Sequence, residues 1–228
     1  MSIQARLPEQ QAWRRRLFLP AYTILDAARY AGTHPQTVAY WHYRGGSLGP
    51  ALPGTERRKP LSYLELVEVA FVATFRALGV SLQRIRRARE YLQLNFKKEY
   101  PFAQLGLKTE GHHVLMDMLE IEPDVEIQAL IIADAHGQTA WQSMVADRFA
   151  EFDYEDGGLA ITWHVAGRGS PVVIDPRISF GAPTIRGIPT WALKGRWEAG
   201  ESIDDIGDDF VLELTEVGAA LRFEGIAA

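Results

Sequence analysis

The sequence predicts an α+β fold that is mainly α, in three parts: an N-terminal winged helix-turn-helix, a small α+β middle segment and a C-terminal three-helix domain. Three observations carry this. A short apolar helix pattern sits behind Pro35 and stops at Gly45-Gly46, with a Pro/Gly-rich loop and the basic run Arg57-Arg58-Lys59 after it. Ser or Thr stands three residues before Asp or Glu at several helix starts, the capping-box pattern. Charge also divides along the chain: residues 1–98 hold 16 Lys and Arg against 6 Asp and Glu, whereas residues 99–228 hold 8 against 23. The domains are read as 1–98, 99–168 and 169–228.

In the first part, Arg6 and the cluster Trp13-Arg14-Arg15-Arg16 form either an arm that touches a polyanion or a solvated terminus. Thr23 with Asp26 starts a helix whose Ala27, Ala28 and Ala31 allow a close crossing. In the next helix Val38, Trp41 and His42 make the inner face. Gln36, Thr37, Tyr40 and Arg44 make the outer one, with side chains that donate to phosphates or reach base edges in a major groove. Arg57, Arg58 and Lys59 then belong to a wing against the neighbouring backbone. Ser62 with Glu65 caps a core helix running to Gly79, and Ser81 caps another. In that helix Arg84, Arg86, Arg87 and Arg89 either meet phosphate or form a solvated face, and Lys97 to Pro101 ends it.

The middle part reads as a small separate domain. Residues 107–109 and 113–118 flank a Glu110-Gly111 turn, 125–132 is a third strand, 138–152 a helix and 159–165 a strand after Asp156-Gly157-Gly158. In the last part a short strand at 172–174 and a loop through Gly181, Pro183, Gly187 and Pro189 lead to helices over 191–199, 202–210 and 215–224. Ser202 with Asp205 caps the second of these and Thr215 starts the third. Asp204, Asp205, Asp208 and Asp209 make the middle helix acidic, which points to a protein rather than DNA as its partner.

Two stretches resemble known families. TVAYWHYRGGSLGP with SYLELVEVAFVATFRALGVSLQRIRRAREYL resembles the winged helix-turn-helix of MerR-type regulators. IDPRISFGAPTIRGIPTWAL, EAGESIDDIGDDF and LTEVGAALRFE are similar to the small helical domain at the C-terminus of many VapB-like antitoxins, and the segments YPFAQLGLKTEGHHV, HGQTAW and FDYEDGGLAITW are similar to the connecting region of such antitoxins. The resemblance implies a type II antitoxin that binds its own operator, double-stranded DNA, as an autorepressor and neutralises a PIN-type ribonuclease toxin. It implies Arg177, Arg186 and Trp191 as the toxin-contacting residues, the arginines meeting the toxin's carboxylates.

No cofactor or metal is expected. His112 and His113 are adjacent and point to opposite faces of a strand, Glu120, Glu122, Asp124 and Glu126 lack a second ligand set, and Asp153, Glu155 and Asp156 lack calcium-loop spacing. With no phosphate loop or nucleophile elbow, the reading is a binding protein and not an enzyme. With no cysteine, no signal-peptide core and no apolar run of bilayer length, it is expected in the cytoplasm with no membrane partner, as a homodimer on a two-fold operator. Two rival readings remain: a MerR-like regulator whose Trp141, Tyr154, Trp163 and His164 line a small-molecule pocket, and an architectural DNA-binding protein without sequence preference.

Overall fold

A computed structural model describes residues 9–43, 49–52, 59–104 and 140–227. The expected strands between 107 and 132, with His112, His113 and the acidic residues from Glu120 to Glu126, lie outside them, as do Arg44, Arg57 and Arg58. The chain forms two compact units, residues 18–160 and residues 1–17 with 161–228. It is mainly helical, with a small antiparallel sheet of five short strands in chain order, β1 Phe152–Tyr154, β2 Ala160–Trp163, β3 Val173–Ile174, β4 Pro183–Ile185 and β5 Ile188–Pro189.

In the unit of residues 18–160, α1 is Ile24–Tyr30, α2 Pro35–Tyr43, α3 Tyr63–Ala77, α4 Leu82–Phe96 and α5 Ala140–Ala150. The helix starts are where the capping pairs put them. Thr23 and Asp26 exchange both capping hydrogen bonds, as do Ser62 and Glu65, and Ser81 Oγ accepts from the Arg84 N–H. A cap of this kind contributes about 1 kcal/mol by satisfying N–H groups that have no partner inside the helix. Helix α4 ends at Phe96 with Lys97 in the left-handed region at φ 52, the interruption expected there.

Helix α3 is buried on nearly every side, so it is the axis of this unit. Its Phe71 lies among Phe149 of α5 at 4.4 Å between ring centroids, Phe152 of β1 at 5.4 Å and Phe102 at 6.4 Å. Four rings from distant stretches thus share one core. Glu68 of α3 is also fully buried: its carboxylate meets Arg89 Nε of α4 at 2.9 Å and accepts from the N–H groups of Phe102 at 2.7 Å and Ala103 at 3.2 Å. The Glu68 carboxyl is pushed above its ordinary value, burial outweighing the pull of Arg89 and of the backbone donors.

In the other unit, α6 is Thr190–Glu198, α7 Ile203–Phe210 and α8 Leu214–Phe223. Val172, Ile185, Leu193, Ile206, Val217 and Leu221 form its core. The third helix begins one residue before Thr215, because the Glu213 N–H is taken by the Glu216 carboxylate instead. The loop expected between 175 and 190 contains a hairpin. Ile185 pairs with Ile188 across Arg186 and Gly187, whose φ angles of 47 and 86 are those of a tight two-residue turn. Strands of two or three residues are too short to show a period of two, so this hairpin was not legible from residue spacing.

Candidate nucleic-acid interface and tail surface

Helices α1 and α2 are joined by Gly32, which at φ +65 supplies the left-handed turn. Before α2 the His34 Nδ1 accepts from the Gln36 N–H at 3.3 Å, and Pro35 fills the first helical position, where no donor is needed. Val38, Trp41 and His42 are buried, which fixes the rotation of the helix. That rotation leaves Gln36 exposed and Tyr40 41% exposed, one turn apart. With Thr23, which caps α1, Leu25 of α1 and the exposed Lys59, they line an open groove of about 720 Å³. Thr37 is not on this face. It is half-buried and lines a second groove, of about 630 Å³, with Trp41, Thr74, Arg76 and Arg148.

The described residues on either side of 53–58 are tied to the helix pair. Trp41 O accepts from the N–H groups of Ala51 at 2.8 Å and Leu52 at 3.2 Å, so the loop leaves from the end of α2. On the return, Leu61 N–H donates to Tyr22 O at 2.6 Å and Leu61 O accepts from Tyr22 N–H at 2.9 Å, a one-pair β-bridge against the chain entering α1. Lys59 and Pro60 are therefore held beside Gln36 and Tyr40 although 19 positions separate Tyr40 from Lys59. Spacing alone could not show that Leu25 of α1 and its cap Thr23 belong to this face. Leu25 carried one signal, since it is a large apolar residue off the Ala27-Ala28-Ala31 side, and it is 65% exposed.

Two expectations for the arginines are corrected. Arg86 and Arg89 of α4 belong neither to a phosphate-contacting nor to a solvated face: both are buried, because Arg89 faces Glu68 across the helix pair, and Arg87 alone of the four is exposed. The N-terminal cluster is folded and not a free arm. Glu9–Phe18 is a 3-10 helix, Arg16 Nη1 donates to Pro176 O at 3.4 Å and to Arg177 O at 3.1 Å, and its guanidinium lies 5.0 Å over the Phe180 ring.

The three tail candidates differ in freedom. Arg177 is clamped: its Nη2 lies 2.6 Å from Asp175 Oδ2 and 3.2 Å from Thr162 Oγ1, and its guanidinium lies 5.7 Å over Trp13. Arg186 pairs with Glu216 at 3.0 Å, yet its side chain stays 58% exposed. Trp191 is 62% exposed. Asp204, Asp205, Asp208 and Asp209 are all exposed on α7, and Arg196 bridges Asp209 to Glu201, whose hydrogen bonds push the guanidinium further up. Of the residues named for a small-molecule pocket, Trp163 is fully buried core and His164 Nε2 lies 2.9 Å from Arg168 Nη1. Among the described residues no group of three His, Asp or Glu could hold a metal ion, and no helix is long and apolar enough to cross a membrane.

Residues 22–92 match the family described as MerR HTH family regulatory protein, and residues 172–223 match the one described as Protein of unknown function (DUF433). A match to a MerR-type helix-turn-helix near the start of the chain and a match to a DUF433 tail near its end thus occur in one chain. Across nearly its whole length the chain is similar to the Mycobacterium tuberculosis protein named "Putative antitoxin VapB45", 27% identical over 233 residues, covering 93% of this chain and 96% of that one. It is also similar to the crystal structure of Rv2018 from Mycobacterium tuberculosis, with a TM-score of 0.70 and 26% identity over 90% of this chain and 99% of that chain. The likeness to a VapB-like antitoxin with a MerR-like N-terminal part, read from the residues, is borne out.

Proposed function

We propose that this protein is the antitoxin of a type II toxin–antitoxin system, acting in the cytoplasm without enzymatic activity of its own. It binds operator DNA as an autorepressor through residues 1–98 and neutralises a PIN-type ribonuclease through residues 169–228, with 99–168 connecting them. The observation that carries the DNA reading is the shared face of Gln36, Tyr40 and Lys59, open to solvent on the basic half of the chain. A helix with its apolar side buried and its polar side flanked by a tethered wing is what a major groove accepts. A homodimer on a two-fold operator supplies the affinity that one small unit lacks. The relative's name and the acidic, solvent-facing α7 support the protein partner. The test is co-expression with the product of the neighbouring gene, pulling on this chain. A stoichiometric ribonuclease held inactive supports the reading, and a protein that comes down alone and still binds its promoter favours a ligand-responsive regulator.

Tyr40→Ala, and equally Arg44→Ala, is expected to weaken specific operator binding by about 1–3 kcal/mol if the side chain reads a base. Lys59→Ala and Arg57→Ala should weaken all sequences alike, each lowering the salt slope by about one unit. Titrations of operator and random DNA over a salt series distinguish the two behaviours. Equal binding by all four variants would move the DNA surface elsewhere.

For the toxin, Arg177→Ala together with Arg186→Ala is expected to leave the ribonuclease partly active at a stoichiometry where the wild type silences it. Arg186→Ala alone is the cleaner variant, since removing Arg177 also strips the buried Asp175 of its partner. An unchanged ribonuclease rate with the double variant would exclude both arginines.

A further inference from the structure

Outside glycine, five described residues have positive φ, and four of them belong to the tail: Ser179 at 45, Phe180 at 54, Arg186 at 47 and Val211 at 54. The left-handed region is costly for a bulky or β-branched side chain, and such strain persists only where the surrounding structure enforces it. Here the strained residues do not repack a core. Phe180 is 78% exposed and Val211 79%, and Leu214 and Ile178 beside them are 51% and 38% exposed.

These residues adjoin one another. The Ser179 hydroxyl donates to Gly187 O at 3.1 Å, and a Cβ at Gly187 would lie 3.6 Å from Ile178 Cγ2, so the Ile178-Ser179 turn rests on the tip of the β4–β5 hairpin. From that tip the Arg186 Nη1 reaches Val211 O at 3.5 Å and its Nε the Glu216 carboxylate at 3.0 Å. Leu214 Cδ2 would lie 3.2 Å from a Cβ at Gly207, against the end of α7. The apolar ridge therefore runs from 178–180 across the hairpin tip to 211–214, with Asp204 and Asp208 of α7 exposed near its end.

We propose that this ridge is the docking surface for the protein partner, and that the partner presents an apolar cleft bordered by Lys and Arg. The proposal rests on the antitoxin reading and deepens it by naming the surface. Charge selects the occupant. Arg186 is matched by Glu216 and Arg177 by Asp175, and Arg16, over the Phe180 ring, lies at the opposite end of the ridge from α7, whose exposed aspartates leave a net negative border beside 211–214. That border repels nucleic acid, and in a two-fold pairing of this face with itself it would meet its own carboxylates. The backbone that carries these side chains is already held in one conformation, so less backbone entropy is lost when a cleft closes over them.

Glycine at the strained positions separates binding from folding, because it removes the side chain and the strain together. Val211→Gly should leave the thermal midpoint unchanged or higher, Phe180→Gly, which also removes the ring under Arg16, should lower it only slightly, and both should weaken the complex with the neighbouring-gene ribonuclease at least tenfold. Asp204→Lys with Asp208→Lys should weaken it too, and should flatten its salt dependence. The probe is that purified ribonuclease, titrated against full-length protein by calorimetry. If the wild type holds the ribonuclease and both glycine variants hold it equally well, the ridge is overturned and the antitoxin reading stands. If the wild type holds no ribonuclease, the antitoxin reading falls and takes the ridge with it. A wild-type dimer that Val211→Gly dissociates would give the ridge to a second copy and overturn the proposal.

Discussion

Glu68→Ala is expected to destabilise the protein by about 3–5 kcal/mol, because it breaks a buried pair from one side only. Arg89, itself buried, loses its counter-charge, and the N–H groups of Phe102 and Ala103 lose their acceptor in a region without access to water. Against a typical total of about 5–15 kcal/mol, a loss of this size removes much of the folded population on warming. Glu68→Gln keeps an acceptor for the two N–H groups and should lose less. Urea denaturation followed by circular dichroism measures both variants. If the Ala variant unfolds at the wild-type midpoint, the pair does not hold α3 to α4.

The pH dependence has a definite sign. The folded Glu68 carboxyl is raised above its ordinary 4.5, so the native state retains a proton where the unfolded chain has released it. Its contribution to stability is complete below 4.5 and declines as pH climbs through the raised native value. Glu68→Gln has no carboxyl to titrate at this position, so its stability should fall less steeply than the wild type's as pH rises above 4.5. Parallel slopes would show that Glu68 does not titrate in this window.

Phe71→Ala is expected to cost about 3–5 kcal/mol, the range for truncating a buried aromatic side chain. The ring is fully buried and has Phe149, Phe152, Phe75 and Phe102 around it, with Phe152 stacked at 22° between planes. The cavity opens between α3, α5 and β1, whose backbones are held by other contacts and close it only in part. Arg148 Nε, for instance, stays bound to Thr74 Oγ1 at 2.7 Å. Phe71→Leu should lose appreciably less. Because α1 packs on α3, operator affinity should fall with stability in Phe71→Ala and recover on cooling, whereas Tyr40→Ala loses affinity at every temperature. Chemical denaturation beside operator titration separates the two.

Much of the candidate DNA face was legible because its signals are local. Pro35, the buried Val38-Trp41-His42 side and the Thr23–Asp26 and Ser62–Glu65 caps involve residues one to four positions apart, and helical geometry alone relates them. The same logic put Ser202 and Asp205 at the start of α7 and its four aspartates in solvent. Where an expectation failed, the cause was a distant partner. Arg86 and Arg89 read as surface arginines, but Glu68, 21 positions before Arg89, sits opposite and draws the helix face inward. Arg16 read as part of a free arm, but its acceptors are 160 and 161 positions away.

By itself, then, the sequence determined the helix starts capped by Thr23, Ser62, Ser81 and Ser202, the exposure of Gln36 and Tyr40 on α2 and the separation of a basic from an acidic half, since each follows from neighbouring residues or from composition. Only the tertiary structure decided that Lys59 stands beside Tyr40, that Thr37 does not, and that Phe180 and Val211 are held outward in left-handed backbone. Those outcomes depend on hydrogen bonds and packing between residues far apart in the chain, and no window of sequence contains both partners.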